Sequence, residues 1–311
     1  MSKPVLSLII PAYNEQEVLF ASFERMDAAM ESINLPYEII YVNDGSKDDT
    51  LSQLRRLQAE NKQVRVLSFS RNFGHQLAVT AGMDAARGDA LIIIDVDLQD
   101  PPEIIPQLVE KWRGGHDIVY GKRLQREGET FLKKFTAHCY YRLLTSMSAY
   151  PIPLDTGDFR LISRRVADVF LSMREHSRFL RGMSAWMGFD AVPVEYVRQE
   201  RFAGKTKYTL KKMLKLALDG ITGFSSTPLT MPGWFGVGLC ALAGLGLIAL
   251  IVLACTVGVP GWLWAFDGLL FVQAGILMAM GVQGAYFGRM YEQLKGRPLY
   301  IVAEKLGFEE E

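Results

Sequence analysis

Leu91-Ile92-Ile93-Ile94 runs directly into Asp95-Val96-Asp97-Leu98-Gln99-Asp100. Four apolar residues in a row make a buried strand, and two carboxylates separated by one residue then leave its carboxyl end. In an open α/β sheet, ligands bind in the crevice outside the carboxyl ends of the strands. A D-x-D there offers hard oxygen ligands to a divalent cation, which in turn can hold a diphosphate. Pro101 and Pro102 stop the strand and open the next helix, because proline suits the first helical turn. Asp is also a common turn residue. The pair therefore draws its functional weight from its place after a strand and from the segments around it.

The same pattern of apolar strand and polar end recurs along the first half of the chain. A strand over 5–10 ends at Pro11, and a helix over 15–32 follows, with Val18, Leu19, Phe23, Met26 and Met30 at helical spacing. Asn14 is placed to cap that helix. A strand over 37–42 ends in Asn43-Asp44-Gly45-Ser46, with Ser46 placed to cap the helix that runs to about residue 59. A strand over 64–69 leads to Arg71-Asn72-Phe73-Gly74 and a helix over 75–86. Strands alternating with helices imply βαβ units, a largely parallel sheet and the α/β class. Parallel strands point the same way, so Tyr13-Asn14-Glu15, Asn43-Asp44 and Asp95-Val96-Asp97 converge on one sheet edge.

Further along, a strand over 117–121 runs into Lys122-Arg123, and an aromatic-rich helix spans 131–147. Thr156-Gly157-Asp158-Phe159-Arg160 leads into a short strand, followed by helices over 164–173 and 179–187 and a strand over 191–197. His75 and His138 fall on helices and are read as structural.

Equal numbers of basic and acidic residues, 34 of each, give no case for nucleic-acid binding. Apolar residues are unevenly spread, and residues 220–266 contain no charge. Two apolar stretches, 234–257 and about 266–288, each reach the ~20 residues needed to cross a bilayer core. The expected organisation is a soluble domain over 1–228, two membrane spans within 229–290 and a tail over 291–311. Lys205, Lys207, Lys211, Lys212 and Lys215 precede the first span, Arg289, Lys295 and Arg297 follow the second, and the connecting loop has no basic residue. The positive-inside rule then puts both flanks in the cytoplasm. The helix over 209–221, rich in Lys and Leu, and the aromatic helix over 131–147 are expected at the membrane surface. No signal peptide is expected at the N-terminus. Cys139, Cys240 and Cys255 lack metal-like spacing and are read as reduced. Glycines in both spans permit close helix packing and leave a homo-oligomer open.

Leu8-Ile9-Ile10-Pro11-Ala12-Tyr13-Asn14-Glu15, Val42-Asn43-Asp44-Gly45-Ser46, Arg71-Asn72-Phe73-Gly74, Asp95 to Asp100 and Arg201-Phe202-Ala203-Gly204-Lys205-Thr206-Lys207-Tyr208 occur in that order. Together they resemble the family 2 glycosyltransferases of the GT-A fold, in particular the polyprenyl-phosphate sugar synthases. The two-span tail resembles the bacterial bactoprenol glucosyltransferase type. The resemblance covers essentially the whole chain and implies a bacterial plasma-membrane enzyme that moves one sugar from a nucleotide-sugar, most simply UDP-glucose, to undecaprenyl phosphate. GDP-mannose or a UDP-aminoarabinose donor, or a non-catalytic nucleotide-sugar-binding scaffold, are the alternatives.

Carried over residue by residue, the resemblance implies that Pro11, Tyr13, Glu15, Val42 and Asp44 line the nucleoside pocket. Asp95, with Val96 beside it, holds ribose or sugar hydroxyls, and Asp97 binds Mg²⁺ or Mn²⁺ bridging the diphosphate. Gln99 contacts the donor, and Arg123, Arg201 and Lys207 neutralise phosphate. The expected catalytic set is Asp95, Asp97, Asp158 and Arg201. The acceptor is a phosphate monoester, whose second pKa of ~6 leaves it largely dianionic at neutral pH. Asp158 is therefore expected to orient acceptor or sugar, with Arg160 nearby, or simply to pair with Arg160. Processive relatives carry Q-x-x-R-W; Gln199-Glu200-Arg201-Phe202 has the wrong spacing and no Trp, which fits transfer of a single sugar.

Overall fold

The computed structural model describes residues 3–124, 156–176, 178–197 and 261–308. The expected helices over 131–147 and 209–221, the span over 234–257, and Arg201, Lys207 and His138 lie outside these residues.

One eight-stranded sheet organises the described chain. Its strands are β1 (Leu6–Ala12), β2 (Tyr37–Asn43), β3 (Val64–Phe69), β4 (Ala90–Ile93), β5 (Ile118–Arg123), β6 (Thr156–Ser163), β7 (Ala191–Tyr196) and β8 (Val302–Leu306). The order is β7-β5-β6-β4-β1-β2-β3-β8. β1 pairs in parallel with both β2 and β4, and β2 pairs in parallel with β3. The expected α/β class with a mostly parallel sheet is borne out.

That order places the chemistry. β1 to β3 progress to one side, and β4 then returns to the other side of β1. This reversal opens a crevice between the carboxyl ends of β1 and β4, the place where ligands bind in open α/β sheets. β6 runs antiparallel to β4, with Ile93 opposite Arg160, so the amino end of β6 lies beside the carboxyl end of β4. β5 is antiparallel to β6, and β7 is parallel to β5. Asp95, Asp158, Arg123 and Tyr196 thus reach one edge from four strands.

Helices cover both faces: α1 (Leu19–Glu31), α2 (Thr50–Glu60), α3 (His75–Ala85), α4 (Ile105–Arg113), α5 (Arg164–Ser172) and α6 (Leu180–Met187). Leu19, Phe23, Met26 and Met30 of α1 recur at three- to four-residue spacing and are buried against Leu8, Ile10 and Ile39 in one cluster. Ile9, Ile40, Val42 and Ile93 point the other way and join Val79, Met83 and Phe170. Burying each such aliphatic or aromatic side chain contributes about 1.5–3 kcal/mol. Gly82 lets α3 approach β1 closely, since a Cβ there would lie 2.3 Å from Ile9 Cγ2.

Two expected helix caps do other work. α1 begins at Leu19, well past Asn14, which takes φ +54 in the preceding turn. Asn14 N–H donates to Ser46 Oγ at 2.9 Å, and Asn14 Oδ1 accepts from Lys47 N–H at 2.8 Å. The loop after β1 is thereby tied to the loop after β2. Glu15 N–H adds a third tie, to Thr50 Oγ1 at 2.9 Å.

The last helix, α7 (Gly261–Leu294), has 34 residues and is followed by β8. Among the described residues no helix is long and apolar enough to cross a membrane. The first expected span lies outside them, as do many side chains of α7, which covers the second. The expected tail over 291–311 holds a surprise. β8 pairs antiparallel with β3, and Arg55 binds Glu304 at 2.7 Å. Tyr300 stacks on Phe69 and donates to Asp84 at 2.6 Å, while Gln293 accepts from His176 N–H at 3.0 Å. The chain beyond α7 is thus built into the same sheet as the crevice.

Candidate active site

Asp158 is held by several side chains at the crevice. Arg181 Nε donates to its Oδ1 at 2.9 Å, while His75 Nε2 lies 3.2 Å and Gln76 Nε2 3.3 Å from its Oδ2. The Arg160 guanidinium is 3.9 Å away and buried. Burial alone would raise the Asp158 pKa, but Arg181, His75 and Arg160 hold it well below the ordinary 3.8. Arg160, expected beside Asp158, is itself drawn down to about 10 by burial and also bonds Ser184 and the Gly157 carbonyl.

Asp95 faces the same imidazole nitrogen, 3.7 Å from His75 Nε2, and keeps about a third of its side-chain surface, 36%, open to solvent. Burial pushes its carboxyl up to about 6, opposed by His75 and assisted by Asp97, Asp158 and Asp100. For the His75 ring the same burial works against the charged form. Asp95 and Asp158 outweigh it and raise the pKa to about 9. The cluster thus sets one imidazole nitrogen against two carboxylates, with the Arg160 and Arg181 guanidinium groups beside Asp158.

Asp97 and Gln99 are half-buried at the end of β4, and Gln99 N–H donates to Asp97 Oδ1 at 3.2 Å in a turn where Leu98 takes φ +55. Val96 points into the core instead. Pro11 and Val42 are likewise buried strand residues, whereas Tyr13 and Glu15 are half-exposed.

Asp44 is buried at the end of β2 and holds the loop after β3. Its carboxylate accepts from Phe73 N–H at 2.7 Å, from Gly74 N–H at 3.0 Å and from Asn72 Nδ2 at 2.9 Å. Burial raises its pKa, and those backbone bonds oppose the rise. Gly45 makes the approach of these two loops possible: it sits at φ +65, and a Cβ would lie 2.4 Å from the Arg71 carbonyl carbon. Gly45→Ala is expected to cost at least ~1–2 kcal/mol from the left-handed backbone alone. A thermal midpoint equal to the parent's would show that the loops do not depend on this contact.

Arg123 is a clamp between strands. Its Nη2 lies 3.3 Å from both oxygens of buried Asp100, and its Nε donates to Tyr196 Oη at 3.1 Å, which in turn donates to Asp100 at 2.5 Å. The guanidinium lies over Gly157, where a Cβ would be 2.5 Å from Nη2. The phosphate-neutralising role expected of Arg123 thus competes with a bond network that joins β5, β7 and the turn after β4.

Comparison with known proteins now adds to this geometry. The profile of Glycosyl transferase family 2 matches residues 7–171, and an uncharacterized glycosyltransferase of Bacillus subtilis (strain 168) is 46% identical over 97% of this chain and 94% of its own length. The chain belongs to glycosyl transferase family 2. A bactoprenol glucosyl transferase of Shigella phage SfII is 40% identical over 96% of this chain and 97% of its own length. Among solved structures, glucosyl-3-phosphoglycerate synthase of Mycobacterium tuberculosis is 19% identical over 70% of this chain and 76% of that one, with a TM-score of 0.49.

In this family 2 glycosyl transferase the crevice brings together Asp95, Asp97, Gln99 and Asp158 from the expected set, with Asp44 one loop away. Arg201 and Lys207 lie outside the described residues. Sequence reasoning missed Arg181 and Gln76 and set His75 aside as structural. For His75 and Gln76 the signal was present, since both directly follow a polar strand end. Arg181 lies on α6, far from any strand-end motif, and only the fold brings it in. No group of three or more His, Cys, Asp or Glu side chains that could hold a metal occurs among the described residues.

Proposed function

We propose that the chain is a membrane-anchored, inverting glycosyltransferase that moves glucose from UDP-glucose to undecaprenyl phosphate. The observation that carries this reading is the 40% identity to bactoprenol glucosyl transferases along nearly the whole of both chains. The crevice supports it with acids at the carboxyl ends of the strands. A phosphate oxygen of the acceptor attacks C1 of the sugar, the C1–O bond to the diphosphate breaks, and UDP leaves. A single displacement of this kind inverts an α-linked donor to a β-linked polyprenyl-phosphate sugar.

The acceptor dianion is already a nucleophile, so no side chain has to remove a proton. Asp158 fits such a reaction, because a carboxylate bound by Arg181, His75 and Gln76 is a poor proton acceptor and a good fixed charge. Asp97 would hold Mg²⁺ or Mn²⁺, which supplies positive charge to the departing diphosphate. Asp44, through the 72–74 loop, frames the nucleoside side of the crevice.

Exposed apolar side chains on α7, among them Trp262, Leu269, Val272, Ile276 and Met280, support a membrane location. The catalytic domain and both ends of the chain then face the cytoplasm.

The test uses purified protein in detergent with undecaprenyl phosphate and Mg²⁺ or Mn²⁺. Radiolabelled UDP-glucose, GDP-mannose and UDP-aminoarabinose are offered separately, and label is counted in the organic phase. Label is expected from UDP-glucose. Label from another donor alone corrects the sugar, and nucleotide binding without lipid-linked label from any donor refutes the catalytic reading.

A further inference from the structure

The proposed reaction leaves the His75 imidazole at the crevice without a task. His75 carries no proton to or from the acceptor, yet its Nε2 lies 3.2 Å from Asp158 Oδ2 and 3.7 Å from Asp95 Oδ1. Those acids come from different strands, and like charges a few ångströms apart repel each other. One imidazole nitrogen within reach of both ties their positions together.

The backbone that carries the ring is positioned by contacts of its neighbours in the chain. His75 is the first residue of α3. The two preceding backbone N–H groups, of Phe73 and Gly74, are bound by Asp44 at 2.7 and 3.0 Å. The body of α3 is held at a set height over β1 by Gly82 against Ile9. The next residue, Gln76, accepts from Leu180 N–H at 3.0 Å, which orients its amide toward Asp158.

We propose that His75 is a positioning residue that holds the sugar-side acid Asp95 and the acceptor-side acid Asp158 in a single reactive spacing. A continuous path then runs from Asp44, on the nucleoside side, through the 72–74 loop and the imidazole to Asp158. The arrangement of the acids is tied to the loop that borders the nucleotide. This rests on the transfer reaction proposed above.

The test compares the parent with His75→Ala and His75→Gln as full-length chains in detergent, with radiolabelled UDP-glucose, undecaprenyl phosphate and Mn²⁺. In His75→Ala, kcat is expected to fall about 10²-fold, the scale of a small misplacement of reacting groups, with donor KM changed less than about threefold. His75→Gln, whose amide N–H reaches a similar position, is expected to recover about tenfold of that loss. A raised KM with kcat intact would put the ring on the donor and overturn the proposal. A lowered thermal midpoint with unchanged kcat would also overturn it, by reducing the ring to a structural part.

A second measurement needs no turnover. The chain has four histidines, so selective isotopic labelling of the ring nitrogens gives few signals, and the His75 signal is identified by its loss in His75→Gln. Asp158→Asn is expected to move that signal, and an unmoved signal refutes the bridge. If the parent transfers no sugar from any donor, the reaction fails on its own account. The ring signal still decides whether the imidazole is bound to Asp158.

Discussion

Asp97→Asn is expected to lower sugar transfer by about 10³-fold, the scale on which removing one preorganised charge-stabilising group acts, while leaving the fold intact. The side chain is half-buried at the end of β4, outside both core clusters, and Asn keeps an oxygen able to accept from Gln99 N–H. What Asn lacks is the negative charge that would attract a divalent cation. The check is initial rate against Mn²⁺ concentration, with the thermal midpoint read in parallel. Partial recovery at high Mn²⁺ fits a weakened metal ligand. Full activity at ordinary Mn²⁺ would remove Asp97 from the mechanism.

Asp158→Ala is expected to damage stability and activity together. It strips the counter-charge from Arg181, His75 and the buried Arg160 at once. Removing one partner of a buried ion pair costs about 3 kcal/mol or more, which corresponds to a fall of ~6–12 °C in thermal midpoint for a domain of this size. The pH dependence follows from the depressed carboxyl. Its contribution to stability is complete above the ordinary value of 3.8 and is lost as the pH falls through the lower folded value. The parent should therefore lose stability more steeply than Asp158→Asn on acidification below about pH 4. Parallel acid limbs in thermal or denaturant unfolding would show that the ion cluster contributes nothing to the fold.

Much of this was legible because strand and helix periods differ. The apolar runs at 6–10, 39–42 and 91–94 and the helical spacing between them were sufficient for a parallel sheet, and parallelism alone gathered Asp44, Asp95 and Asp97 at one edge. What pairing adds was not legible. Nothing in residues 156–163 says that this strand runs antiparallel beside β4, and that direction is what delivers Asp158 to Asp95. Arg123 reads as a free cation after a strand until Asp100 and Tyr196 are seen to take its guanidinium. Asn14 and Ser46 look like helix caps because capping residues and loop-tying residues have the same chemistry. β8 escaped notice because Val302-Ala303-Glu304-Lys305-Leu306 is short and bears two charges, a weak alternation even with Gly296, Pro298 and Gly307 around it.

That last strand also imposes an order on manufacture. Arg55 and its partner Glu304 are 249 residues apart, so the sheet cannot be closed at β3 until residues 302–306 have been made. The apolar segments proposed to enter the bilayer are synthesised before β8. Until β8 arrives, β3 presents a row of unpaired backbone groups, the kind of edge that recruits foreign strands. Completion of the sheet thus waits for the segment beyond α7, and a product that stops before residue 302 would keep an open seam at β3.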